Sequence, residues 1–171
     1  MDLTSLIKEL DIDISEKELD KFESYFNFLT EYNAHTNLTR ITEKEEVYIK
    51  HFYDSLLLTS VTDIRNKTLC DVGAGAGFPS VPLAITCDSL SVVIVDSLGK
   101  RITFLTELIK KLGLSNVEAV NSRAEDYCHK KREGFDIVTA RAVARLNILV
   151  ELCLPLVKVG GVFVALKGSS L

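Results

Sequence analysis

The sequence predicts an α/β fold, a mostly parallel Rossmann-like sheet beginning near residue 61 behind an N-terminal helical extension. Three observations carry this prediction. The first sixty residues repeat apolar side chains at helical spacing. After Arg65 short apolar runs alternate with helical stretches, as in βαβ units, and the first of these runs ends in a glycine-rich loop. A chain of 171 residues has room for one well-packed domain with an appendage, so the expected division is 1–60 for the extension and 61–171 for the core.

In the extension, Leu3, Leu6, Ile7 and Leu10 belong to a short first helix. Ser15 with Glu18 forms a capping box, and Leu19, Phe22, Phe26 and Leu29 follow at spacings of three and four, which gives a second helix one apolar face. Asn33 to Thr39 reads as a loop. A third helix from about Glu43 is expected to bury Val47, Phe52, Leu56 and Leu57, and the head as a whole is expected to lie over the sheet edge. In the core, strands are expected at Thr68–Val72, Ser91–Asp96, Val117–Val120, Phe135–Thr139 and Gly161–Leu166. Helices are expected around Pro79–Ile85, Lys100–Leu112, Ala124–Lys131 and Leu146–Val157.

Hydrophobic residues at 47% and charged residues at 26% exclude a disordered or fibrous chain. The net charge of -4 is uneven, because residues 1–60 hold 6 Lys/Arg against 13 Asp/Glu and residues 61–171 hold 14 against 11, or about -7 and +3. A polyanion would therefore be met by a local basic patch on the C-terminal part. Cys70, Cys87, Cys128 and Cys153 form no C-x-x-C pair and read as core filler, and no run approaches the roughly 18 apolar residues of a membrane span. These features point to a reducing cytoplasm and no membrane.

Leu69-Cys70-Asp71-Val72 runs into Gly73-Ala74-Gly75-Ala76-Gly77-Phe78-Pro79. Glycines let the backbone turn sharply and lie against a ligand, although a tight strand-to-helix turn uses the same residues. Asp96 closes the second strand, where a carboxylate can accept from both ribose hydroxyls of an adenosine. Asp71 adds negative charge that suits a cationic sulfonium and opposes a pyrophosphate. A dinucleotide loop needs G-x-G-x-x-G, and Phe78 stands at the sixth place. S-adenosylmethionine is thus favoured over NAD, with Gly73, Gly75, Gly77 and Asp96 as donor contacts. Ala124, Glu125 and Asp126 open a helix where the adenine would lie, and equally fit plain helix N-terminal charge.

The acceptor should meet the methyl group at the end of the fourth strand, which reads Thr139-Ala140-Arg141-Ala142. Neither the Pro-Pro-aromatic pattern of exocyclic amine methylation nor a nucleophilic Cys stands there. A ring nitrogen with a free lone pair, such as guanine N7, needs only positioning, and an Arg fork pairs with the neighbouring O6. Arg141 is therefore the candidate catalytic residue, through acceptor positioning and with no general base. A structural pairing of Arg141 with Asp96 or Asp136 is the competing expectation. Arg123, Arg145, Lys100 and Arg101 are candidate RNA contacts, whereas His35, His51 and His129 lack ligand spacing and read as packing or loop residues, with no metal expected.

Several motifs then combine: Asn33-x-x-x-Asn37-Leu38-Thr39, His51-x-x-Asp54-Ser55-Leu56, Asp71 through Pro79, Val95-Asp96-Ser97-Leu98-x-Lys100-Arg101, Ser122-Arg123-Ala124-Glu125 and Ala140-Arg141-Ala142. Over about residues 25–168 the chain resembles the glucose-inhibited division protein B family of bacterial small-subunit ribosomal RNA methyltransferases. The resemblance implies a class I S-adenosylmethionine-dependent methyltransferase fold and a 7-methylguanosine product in 16S ribosomal RNA, free or in the 30S particle. It also implies donor contacts at Gly73, Phe78, Ala124, Glu125 and Arg141. Family members continue past Ala165-Leu166-Lys167-Gly168 into a hairpin of strands six and seven that is missing here, so the core is expected to be C-terminally truncated. The fifth strand is then an exposed edge open to self-association, in an otherwise monomeric protein. Two other functions stay open: the same donor pocket with a small-molecule or protein acceptor, and a donor-binding module without turnover.

Overall fold

The computed structural model describes residues 2–141 and 145–166; Ala142, Lys167 and Gly168, quoted above for the family resemblance, lie outside the described residues. Five strands form one sheet in the order β3-β2-β1-β4-β5, with β1 at Thr68–Val72, β2 at Ser91–Asp96, β3 at Val117–Asn121, β4 at Phe135–Arg141 and β5 at Val157–Leu166. Every pairing is parallel. The chain steps outward from β1 to β3, then returns to the other side of β1 to lay down β4. This reversal opens a crevice at the carboxyl ends of β1 and β4.

Helices α1 (Leu3–Lys8), α2 (Glu16–Thr36), α5 (Ser80–Thr86) and α6 (Gly99–Leu112) build one apolar layer against the sheet, and α7 (Ala124–Lys130) and α8 (Leu146–Cys153) build the other. Between α2 and β1 run α3 (Lys44–Val47), a π-helical stretch Tyr48–Tyr53, α4 (Asp54–Leu56) and a 3₁₀ turn Leu57–Ser60. The first core runs unbroken from Leu3, Phe22 and Tyr25 in the head to Leu69 and Ile94 in the sheet. The second joins Cys70 and Val138 to Leu149 and Cys153. All four cysteines are free, with Cys70 and Cys153 buried and Cys87 and Cys128 half-buried.

Local chemistry sets the element ends. The Ser15 hydroxyl accepts from the Glu18 N–H while Glu18 accepts from the Ser15 N–H, which closes the capping box of α2. Asn37 in the left-handed region ends α2, and Gly113 does the same for α6.

Four expectations need correction. Helix α2 continues to Thr36, so Asn33 is helical and the loop begins at Asn37. The single third helix is instead the α, π and 3₁₀ succession, and its changing pitch buries Leu58 at 2% exposure while Leu57 is 39% exposed. Strand β5 starts at Val157 because Phe135 pairs with Val157 and Ile137 with Val162, leaving extra residues bulged around Gly160 at φ 82°. The head covers the α5/α6 layer on one sheet face and does not lie over the sheet edge.

Candidate functional site

The glycine loop descends from β1 into the crevice. The Gly73 N–H donates to Val95 at 2.8 Å, tying the loop to β2, and Ala74 accepts from Gly77 and Phe78 at 3.0 and 3.1 Å. Gly73, Gly75 and Gly77 take φ of 70°, 60° and 99°. They differ in what they face. No atom lies within 4 Å of a Cβ built on Gly75, whereas one built on Gly77 would stand 2.7 Å from the Tyr25 hydroxyl and 2.8 Å from Val81. Gly77 therefore packs beneath the loop and, among the described residues, borders neither of the two clefts that meet there.

Two clefts meet at this loop, of about 330 and 280 Å³, and share Gly73 and Arg101. Gly75, Phe78, Arg141, Thr39 and His51 border the first. Asp96, Ser97, Ser122, Arg123, Ala124 and Glu125 border the second, at the ends of β2 and β3. The structure thus brings together Gly73, Gly75, Phe78, Asp96, Arg101, Arg123, Ala124, Glu125 and Arg141. Lys100, exposed on the first turn of α6, and Arg145, exposed at the start of α8, are not among the residues bordering either cleft.

Arg141 ends β4 and pairs with neither Asp96 nor Asp136. Asp136 accepts from Thr68 at 2.9 Å and meets Lys158 at 3.6 Å, while Asp96 faces Arg101 at 3.4 Å. The Arg141 guanidinium instead donates through Nη1 to the Lys50 carbonyl at 3.4 Å and to Asp54 Oδ2 at 3.3 Å, and through Nη2 to His51 Nδ1 at 2.6 Å. Its Cζ stands 5.1 Å from the centroid of Phe78. The His51 ring stacks on Phe78 at 4.4 Å and 17°, and its Nε2 lies 2.9 Å from Thr39 Oγ1.

Burial, then the nearby Arg141 cation, pull the His51 pKa down to about 4, so the imidazole is neutral at pH 7. His51 is only 7% exposed and packs on Phe78, as a packing residue should, and it also borders the first cleft. A guanidinium offers only donors, so His51 Nδ1 must accept and its Nε2–H must donate to Thr39. Thr39 in turn is clasped by Asn33, whose amide donates to the Thr39 carbonyl and accepts from the Thr39 N–H, both at 2.9 Å.

The two acidic residues flanking the loop differ. Asp96 Oδ1 accepts from the Leu98 N–H at 2.9 Å, fixing the carboxylate at the second cleft. Asp71 is fully buried, Oδ2 accepts from the Ser80 N–H at 3.2 Å, and Oδ1 and the Ser80 hydroxyl have no hydrogen-bond partner. Burial, opposed by the Ser80 N–H, raises the Asp71 pKa to about 7. The negative charge expected at Asp71 is therefore only partly present at neutral pH.

Sequence reasoning missed His51, Thr39, Asn33 and Asp54 as site residues. The motif containing His51 and Asp54 was visible, but its partner lies some ninety positions along the chain. No group of His, Cys, Asp and Glu suited to a metal is found among the described residues, and no described helix is long and apolar enough to cross a membrane.

Comparison with known proteins follows the same lines. The family profile GidB, described as rRNA small subunit methyltransferase G, matches residues 18–171. A protein of Lactobacillus helveticus named ribosomal RNA small subunit methyltransferase G is 61% identical over 160 residues, covering 91% of this chain and 67% of that protein. One of the same name from Bacillus cytotoxicus is 56% identical over 169 residues, covering 97% and 71%. Among solved structures, a SAM dependent methyltransferase from Aquifex aeolicus superposes with a TM-score of 0.55 at 22% identity, covering 72% of this chain and 66% of that one. A precorrin-6y C5,15-methyltransferase from Geobacter metallireducens gives 0.57 at 18% identity, covering 73% and 62%. At these identities the structures establish a shared fold.

Proposed function

The chain belongs to the GidB family, rRNA small subunit methyltransferase G, and from that premise we propose that it transfers a methyl group from S-adenosylmethionine to N7 of a guanine in 16S ribosomal RNA. The acceptor is the free RNA or the 30S particle, met in the bacterial cytoplasm by a monomer. The observation that carries this reading is the pair of linked clefts at the sheet's reversal point, with a fixed carboxylate in one and an Arg fork in the other.

The residues present fit the donor. Space stands open where a side chain on Gly75 would be, which suits a ligand lying against the loop backbone. We assign Asp96 to the ribose hydroxyls, Ala124 and Glu125 to the adenine, and Gly73, Phe78 and Arg141 to the remainder of the donor, a reading supported by their position along the two clefts. When bound, S-adenosylmethionine supplies an electrophilic methyl carbon on a sulfonium. The protein's task is then orientation, since guanine N7 attacks with a lone pair and loses no proton.

Arg141 suits the acceptor side. Of its five N–H donors, three are engaged by Lys50, Asp54 and His51, which leaves two among the described residues for a base edge or the donor. Both nitrogens of His51 are occupied, so the imidazole is not a general base. Arg101 and Arg123 at the cleft rims, with exposed Lys100 and Arg145, supply positive charge for the RNA backbone.

The test is incubation with donor tritiated in its methyl group and 16S ribosomal RNA, naked or in 30S particles, from cells lacking this gene. Label recovered as 7-methylguanosine after nuclease digestion is the expected result. Donor binding with no label in either RNA form would sink the reading.

A further inference from the structure

We propose that His51 is a positioning residue for Arg141, a neutral acceptor whose tautomer is fixed by Thr39 and which aims the guanidinium into the first cleft. The inference rests on the reading of Arg141 given under Proposed function, and goes beyond it by assigning a role to groups that do not touch substrate.

The chain of contacts has one direction. Asn33, on the last turn of α2, clasps the Thr39 backbone from both sides. The Thr39 hydroxyl also accepts from the Ile41 N–H at 3.1 Å, which turns its lone pairs toward the loop and toward His51 Nε2 at 2.9 Å. His51 is stacked on Phe78 and is therefore held in plane as well as in tautomer. Its Nδ1 takes one N–H of the Arg141 fork at 2.6 Å, the shortest of the fork's contacts, while Asp54 and the Lys50 carbonyl take Nη1 at 3.3 and 3.4 Å.

A neutral acceptor has an advantage over a second carboxylate. Asp54 has a side chain 46% exposed, so it screens the guanidinium weakly, and His51 adds direction without cancelling charge. A protonated imidazole would do the reverse: it would present a donor to a donor and place a cation against Arg141. The π-helical stretch carries Lys50 and His51 together and sets both against the same guanidinium.

The first measurement uses the unmodified protein. Long-range ¹H–¹⁵N correlation at pH 7 resolves the tautomers of its three histidines. The His51 signal is identified by exclusion with His35→Gln and His129→Gln, both at exposed positions. A neutral ring protonated on Nε2 is expected; a ring protonated on Nδ1, or an imidazolium, overturns the proposal.

The second is a double-mutant cycle on single-turnover methyl transfer, at a temperature where circular dichroism shows each variant folded. His51→Phe keeps the stack and removes the acceptor, and should slow transfer by about tenfold to a hundredfold. In an Arg141→Ala background the same change should cost less than about twofold, because the group it acts through is gone. An undiminished cost in that background would show His51 to be packing and overturn the assignment. Should the unmodified protein transfer no methyl to RNA, the function reading fails while the tautomer measurement still decides this one.

Discussion

The phenol of Tyr25, in the middle of α2, donates to the carbonyl of Ala76 in the glycine loop at 2.5 Å, across 51 positions of chain. The ring is fully buried and stacks on Phe78 at 5.4 Å and 16°. Burial holds the phenol pKa well above its ordinary value, so the proton that makes the contact is always present. The helical head is thereby a structural part of the loop, since it supplies the hydrogen bond that the loop's backbone cannot make for itself.

Tyr25→Phe preserves the ring and strands the Ala76 carbonyl without a partner. The expected loss is about 1–3 kcal/mol, at about 2–4 °C of melting temperature per kcal/mol for a chain of this size. Affinity for S-adenosylhomocysteine should fall with it, as the loop loses its support. Calorimetry on both proteins checks this, and an unchanged melting temperature with unchanged affinity would detach the head from the site.

Gly75 and Gly77 should respond to alanine to different degrees. At Gly75 a Cβ meets nothing within 4 Å, so Gly75→Ala costs only the left-handed backbone, about 1–2 kcal/mol. The new methyl should nevertheless lower donor affinity by intruding on the cleft. Gly77→Ala adds a clash with Tyr25 and Val81 at 2.7 and 2.8 Å to a φ of 99°, and should lose at least twice as much stability. Thermal melts and ligand titrations side by side separate the two, and equal melting losses would contradict the assignment of Gly77 to packing.

How far the site was legible follows from where its contacts lie along the chain. The glycine loop, Asp96 and the strand that delivers Arg141 are local patterns, and β1 and β2 stand at the residues their apolar runs mark. The His51–Arg141 contact has no local signature, because it depends on how the π-helical stretch docks against the end of β4. The same stretch explains the error at Leu57: a fixed 3.6-residue period points that side chain inward, and the tightening to a 3₁₀ turn rotates Leu58 into its place. Spacing alone cannot tell a glycine facing open space, as Gly75 does, from one packed against a tyrosine, as Gly77 is.

Asp71 and His51 pull the pH dependence of stability in opposite directions. The folded pKa of Asp71, about 7, lies above the ordinary carboxylate value of 3.8, so its contribution is lost as pH rises from about 4 through 7. The folded pKa of His51, about 4, lies below 6.5, so its contribution is present above 6.5 and lost as pH falls toward 4. Each spans a few kcal/mol at about 1.4 kcal/mol per pKa unit, and between pH 4 and 6.5 they offset. Asp71→Asn should therefore gain stability as pH rises over this window, and His51→Phe should lose it. Urea titrations from pH 4.5 to 8 read the slopes, and parallel curves for both variants and the parent would refute the two assignments.

Asp96 and Arg101 provide the last prediction, because the two clefts meet at their contact. The Asp96 side chain is 3% exposed and its Oδ1 is committed to Leu98, which leaves Oδ2 facing a half-buried guanidinium at 3.4 Å, a long and weak pairing. A ribose diol competing for Oδ2 displaces little, whereas removing the carboxylate removes the only charged acceptor, among the described residues, that borders the second cleft besides Glu125. Asp96→Ala should therefore weaken S-adenosylhomocysteine binding by about tenfold to a hundredfold. Arg101→Ala should leave that affinity unchanged or slightly improved, since Oδ2 loses a competitor. The same variant should weaken 16S ribosomal RNA binding and make the slope of log affinity against log salt shallower by about one unit. Calorimetry with the nucleoside and filter binding with the RNA give the two readings. If Arg101→Ala cost as much nucleoside affinity as Asp96→Ala, Arg101 would be a donor ligand and its assignment to RNA would be wrong.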